Sequence, residues 1–323
     1  MKRSIAVSFG FAGTVIGAGF ASGKEVMLYF SETGVASPLL SALFLGVLAY
    51  FFCEIGRNTG GDGYALFGKG KKIVSFFVKT VSALIFCTTV AASEEAFFSL
   101  FGVHGGSVVT VFLSLLTLYA NKKISTAVSV LSVLAIVVLL GALFFRSETY
   151  IPRGKFSPFS SFLYAGMNML TGGFFICEKS GDLTRKDSAT TAITSFFLLS
   201  ILLLAVFMLS KTSPNAIFPM MSAAEKAGFG AVGPIILYLA MYTTCNGTLT
   251  VAVGKKLFLA LIVCSLSLLV SCIGFEKLIK TIYPMIGTAG CGVCIAMVIR
   301  YMKISRRTGG INSYLIKDRF NAR

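Results

Sequence analysis

Charge is what this sequence has least of. Only 13% of its 323 residues are charged, where an ordinary soluble domain carries about a quarter. The apolar residues make up 55% of the chain. They fall in runs of roughly 15–25, the length that crosses a bilayer. Histidine occurs once, as His104 in a predicted external loop, so a His-based metal cluster is excluded. No P-loop, nucleophile elbow or metalloprotease helix is present, and with them goes the case for a membrane enzyme. A channel calls for a repeated filter or a ring of charges, and the sequence has neither. The eight cysteines lie mostly inside apolar runs, as Cys53, Cys87, Cys245 and Cys264 do, and read as small apolar core residues. Cys291-Gly-Val-Cys294 has no second pair and lies in a predicted span.

Acid is scarcer than base, with 13 Asp and Glu against 29 Lys and Arg and a formal charge of +16. In a soluble protein that excess would point to nucleic acid. Here its distribution explains it without any. Ten spans are predicted, at about 5–30, 34–56, 72–99, 107–120, 124–145, 161–179, 188–210, 231–253, 257–273 and 278–302. The fourth is short. With the N-terminus inside, about 20 Lys and Arg fall in cytoplasmic segments, among them Lys2, Arg3, Lys71, Lys72, Lys122, Lys123 and the tail, against 7 outside. The positive-inside rule therefore puts both termini in the cytoplasm. Met1-Lys2-Arg3 and the apolar run behind it imitate a signal peptide, but the run is too long and leads into charges, so it reads as a retained first span. The chain is thus expected to be one all-α membrane domain over 1–323. Repeat one covers about 5–145 and repeat two about 161–302, and a basic cytoplasmic tail of lipid-contact character covers 303–323.

The first span is interrupted by composition. Gly13, Gly17, Gly19 and Gly23 fall within eleven residues of "GTVIGAGFASGKEV", and glycine disfavours helix by about 1 kcal/mol relative to alanine. Close helix packing also selects glycine. The sixth span repeats the feature in "YAGMNMLTGGFF", with Gly166, Gly172 and Gly173 around Asn168 and Thr171. Spans one and six open the two halves of a ten-span chain. A repeat of five is odd, so its second copy runs inverted. Paired interrupted spans at matching positions of inverted halves mark the binding site of many secondary transporters. An unwound segment is tolerated only where it lines a polar cavity. Its freed carbonyls suit a cation, and the N–H groups of the next half-helix suit a carboxylate.

In the eighth span Ala240, Thr243 and Thr244 stand at i, i+3 and i+4 and share one face. Their hydroxyls and carbonyl are hard oxygen donors of the kind small cations use. Threonines in spans also bond their own helix at i−4.

These motifs resemble those of the leucine-transporter fold, the amino acid–polyamine–cation superfamily. "GAGFASGKE" more narrowly resembles the YkvI-like family of bacterial membrane proteins. The resemblance implies a 5+5 inverted repeat with broken helices 1 and 6, in a bacterial inner membrane. Gly13-Thr14-Val15-Ile16-Gly17-Ala18-Gly19 is similar to the Gly-x-x-Val-Gly-x-Gly of sodium-coupled members, and Ala240-Met241-Tyr242-Thr243-Thr244 to their Ala-x-x-Thr-Ser. It implies a sodium site of the Gly13, Ile16 and Ala240 carbonyls with the Thr243 and Thr244 hydroxyls. It also implies a substrate site at Val15, Gly17, Gly19, Phe20, Asn168, Thr171, Gly172 and Gly173. Two departures matter. No tyrosine occurs between Lys71 and Phe101, where amino acid symporters place a carboxylate contact. No lysine occurs from Ile124 to Phe145, where some members replace sodium with one.

Charges within spans usually face a cavity or a partner. Glu54 has Arg57 at i+3. Lys24 is expected to form an outer gate with Glu94 or Glu95, the alternative being that it snorkels to the headgroups. The function expected is sodium-coupled uptake of an amino acid or similar zwitterion by alternating access. The alternative is proton coupling with another small organic solute. The partners are then a small molecule and the bilayer, with sodium the one ion required and no other cofactor.

Overall fold

The computed structural model describes residues 2–119, 122–146, 152–230, 232–254 and 256–307. Lys122 and Lys123 take part only as backbone, and the basic tail from 308 onward lies outside the described residues. The chain is nearly all helix. The one β pairing among the described residues is an isolated bridge between Thr33 and Lys155. It ties the loop before α4 (Ala36–Thr59) to the loop before α8 (Pro158–Lys179).

The first predicted span is three helices in series, α1 (Lys2–Val15), α2 (Ala18–Ser22) and α3 (Lys24–Phe30). A short 3₁₀ segment over Gly63–Gly70 follows α4 and leads into α5 (Lys71–Phe101). Then come α6 (Gly106–Tyr119), α7 (Lys122–Arg146), α8, α9 (Arg185–Ser210) and the short α10 (Pro219–Lys226). The chain ends in α11 (Val232–Val253), α12 (Leu257–Ser271) and α13 (Phe275–Arg307). Each predicted span thus falls on a helix or, for the first, on the series. Five are long and apolar enough to cross a membrane: Ala36–Thr59, Gly63–Phe101 with its 3₁₀ lead, Arg185–Ser210, Val232–Val253 and Phe275–Ser305. Gly106–Tyr119 and Leu257–Ser271 are shorter apolar helices. With large apolar side chains such as Phe76, Phe145 and Phe258 turned outward, the molecule is a multi-pass membrane protein.

Local chemistry marks the ends. α9 begins with a capping box, in which the Thr184 hydroxyl accepts from Asp187 N–H and the Asp187 carboxylate accepts from Thr184 N–H. α8 begins with Ser157 as N-cap and Pro158 in its first turn. α4 and α5 stop at left-handed Gly60 and Gly102. Small residues bring helices together inside. A Cβ on Gly56 of α4 would meet the backbone of Cys177 on α8, and one on Gly46 would lie 2.9 Å from Phe196 of α9. A large core joins α1–α4, α8, α9 and α13. A smaller one lies between α5, α6, α11 and α12.

The expected break in the sixth span is not there. α8 runs unbroken from Pro158 to Lys179, and its glycines serve contact instead. A Cβ on Gly172 would lie 2.6 Å from the Phe11 ring and 2.7 Å from Thr14 Oγ1 of α1, and one on Gly173 would enter the Phe52 ring of α4.

Candidate substrate and ion site

The helical ladder of the first span stops at Ile16, whose N–H reaches Ala12 O at 2.8 Å. Gly17 is extended, and its N–H turns to Val15 O at 2.8 Å. A continuous helix would aim Gly17 and Ala18 N–H at the Gly13 and Thr14 carbonyls. Ala18 N–H is instead 2.9 Å from Thr244 Oγ1 of α11. That hydroxyl acts as the cap of α2, 226 residues away in sequence, and donates in turn to Ala240 O at 2.9 Å. Thr243 Oγ1 donates to the same carbonyl at 3.0 Å. Thr243 and Thr244 thus bond back to their own helix, and Thr244 also reaches the break. A Cβ on Gly17 would lie 3.3 Å from Thr244 Oγ1, while one on Gly13 would have only Val133 at 3.8 Å. The break and the threonine face meet, and the freed Gly13 carbonyl lies one turn before the meeting point.

Of the expected substrate positions, Val15 and Phe20 are buried. Gly19 lies against Glu25 and 3.3 Å from Tyr283, measured from its missing Cβ. Asn168 on α8 donates to Tyr164 O at 3.1 Å and to Glu25 Oε1 at 3.5 Å. Gly19 and Asn168 are thus brought together through Glu25. Thr171 is half-buried. Gly172 and Gly173 are filled by neighbouring rings and present no freed backbone. Sequence reasoning missed Glu25, Tyr29 and Tyr164 as neighbours of this site. The available signal was spacing: Glu25 and Tyr29 stand at i, i+4 on α3, and Tyr164 and Asn168 at i, i+4 on α8.

The expected gate pairing is different in the structure. Lys24 is buried, and its Nζ lies 3.4 Å from Glu276 Oε1 and 3.1 Å from Ala216 O. Glu94 accepts from Gly105 N–H at 3.0 Å and Ser107 N–H at 2.7 Å at the start of α6, with His104 Nδ1 at 3.2 Å. Glu95 accepts from Phe275 N–H at 3.0 Å at the start of α13. Helix N-termini attract carboxylates, so both acids are already engaged and Lys24 takes the acid one residue past Phe275. Glu54 has its expected partner, with Arg57 Nη2 at 2.7 Å. A cleft of about 410 Å³ opens between Glu94, Glu95, His104, Ala216 and Glu225.

This architecture has solved counterparts. Mhp1, a nucleobase-cation-symport-1 family transporter in a closed conformation with bromovinylhydantoin bound, gives a TM-score of 0.60 at 11% identity over 94% of this chain and 78% of that one. The inward-facing conformation of Mhp1 gives 0.59 at 10% identity over 94% and 77%. A manganese transporter of Eremococcus coleocola, in complex with an aromatic bis-isothiourea substituted compound, gives 0.50 at 14% identity over 99% and 75%. The chain shares the overall fold of these transporters. At these identities the likeness is one of fold. No family model and no curated protein matches the sequence.

Proposed function

We propose that this protein is a secondary active transporter that moves a small solute by alternating access, with sodium bound where α1 breaks against α11. The observation that carries the reading is the Thr244 hydroxyl capping α2 across the break. It joins the first of the two interruptions in the first span to the face of α11 that carries Thr243 and Thr244. A sodium ion there would take the Gly13, Ile16 and Ala240 carbonyls and the Thr243 and Thr244 hydroxyls, five neutral oxygens. Neutral oxygens suit a monovalent cation, because a divalent ion would leave more charge uncompensated in a region of low dielectric. The solute, an amino acid or similar zwitterion, would lie beside Val15, Gly17, Gly19, Phe20, Asn168 and Thr171. Lys24 and Glu276 close its outer side. The 5+5 inverted repeat and the cytoplasmic placement of both termini in a bacterial inner membrane belong to the same reading. The placement of the termini rests on the Lys and Arg asymmetry, and a C-terminal reporter active only outside the cell would overturn it and the inverted repeat with it.

Reconstituted vesicles test the function. Uptake of a labelled amino acid mixture should saturate and follow an imposed inward sodium gradient. Uptake that follows only a proton gradient would move the assignment to the second reading, proton coupling with another organic solute. One observation favours that second reading, the buried carboxyl of Glu25. Flux that does not saturate would indicate a channel.

A further inference from the structure

The break holds an acid that the ion site does not use. Glu25 is 6% exposed. Its Oε1 receives one long bond, from Asn168 Nδ2 at 3.5 Å, and its Oε2 points at Gly19, where any Cβ would strike it. The groups that face it are Asn168 and Tyr164 from α8, Tyr283 from α13 and Tyr29 from its own helix. None is a base. The Tyr29 hydroxyl is committed to Tyr283 O at 2.8 Å. The Tyr164 hydroxyl is buried and faces the Glu25 carboxyl. Lys24, next in the chain, turns away to Glu276 and Ala216 O. Among the described residues, no Lys, Arg or His pairs with Glu25.

A buried carboxylate with no counter-charge is strongly disfavoured, so the group binds a cation or a proton. The close approach of Gly19, Asn168 and Tyr283 favours the occupant that needs no space. A protonated carboxyl also gains an O–H donor, and the Tyr164 hydroxyl beside it can accept that bond. Ala216 lines the 410 Å³ cleft and also accepts from Lys24 Nζ, so the cleft reaches the tip of the Lys24 side chain, the residue before Glu25 in the chain.

We propose that Glu25 is a proton-binding site at the break, loaded and unloaded as the Lys24–Glu276 contact opens. The O–H bond forms on the carboxyl with a proton from water in the cleft, and the proton returns to water when the break next meets solvent. The inference rests on the alternating-access reading, but its test needs no transport assay. Infrared difference spectra of the purified protein in H2O and D2O, across pH, are compared between wild type and Glu25→Gln. Wild type should show a protonated-carboxyl band that Glu25→Gln lacks. The band should shift in D2O and fade as pH rises, and Lys24→Ala should speed its exchange severalfold. Should Glu25→Gln fail to fold, Glu25→Asp should displace the same band. Absence of the band means an ionised group and overturns the proposal. A band that neither titrates nor exchanges is a fixed acid and overturns it equally. Sodium-induced thermal stabilisation, measured on the same Glu25→Gln sample, is expected to persist. Its absence from wild type would count against the sodium site and leave the proton site standing.

Discussion

Residues 13–23 hold four glycines and α8 holds three, yet the first segment is interrupted twice while α8 runs from Pro158 to Lys179 without a gap. Glycine lowers the cost of leaving the helix in both. A break persists only where the backbone groups it frees find partners. The first segment has them. Thr244 Oγ1 takes Ala18 N–H, Val15 O takes Gly17 N–H, and left-handed Gly23 reaches Phe20 O. In α8 the space a side chain would fill at Gly172 and Gly173 is already held by Phe11, Thr14 and Phe52. There glycine lets three helices touch and leaves the ladder intact. The two regions also meet, since Gly172 of α8 lies against Phe11 and Thr14 of α1 just before the break.

The comparison is best broken at its tightest point. Gly173→Val pushes a branched side chain into the Phe52 ring. It should destabilise by about 1–3 kcal/mol or more, the usual cost of overfilling a core, with uptake falling only as folded protein is lost. Thermal melting in detergent checks it. An unchanged melting temperature would mean that α8 has slack to break after all. Next in size is Thr244→Val, which strands the buried Ala18 N–H and should cost about 1–3 kcal/mol. Thr244→Ser keeps the oxygen and should stay near wild type, and Thr243→Val removes no cap and should cost less. Gly19→Leu acts on function more than on stability. Its side chain would displace Glu25 and press on Tyr283, so uptake should vanish while membrane insertion is retained; normal uptake would show that these glycines serve only helix contact. The smallest stability effect is expected for Lys24→Ala, because Glu276 is 46% exposed and keeps Lys280 at 2.9 Å. Uptake should fall and partly recover when the charges of Lys24 and Glu276 are exchanged. Recovery on exchange with Glu94 or Glu95 would restore the pairing expected from sequence.

Much of this was legible in the chain itself. Run lengths placed the helices to within a few residues, and the polar glycine-rich motif located the break in the first span. The shared face of Thr243 and Thr244 was visible at i, i+3 and i+4 from Ala240. What stayed hidden depends on contacts between distant segments. Lys24 meets Glu276 across 252 positions and Asn168 meets Glu25 across 143, and no local pattern encodes either. The sixth span misled for the same reason, because glycine in a helix means unwinding or close contact according to what faces it.

The central claim is that the break at Gly17 and the threonines of α11 form one sodium site. The most direct test is the thermal stability of the purified protein in sodium against equimolar potassium, for wild type, Thr243→Val, Thr244→Val and Thr244→Ser. An ion that binds the folded state stabilises it by mass action, about 2.7 kcal/mol at a concentration one hundred times its dissociation constant. Wild type and Thr244→Ser should be stabilised by sodium and not by potassium, and both valine variants should lose that difference. A wild type indifferent to sodium, or valine variants that respond as wild type does, would contradict the assignment.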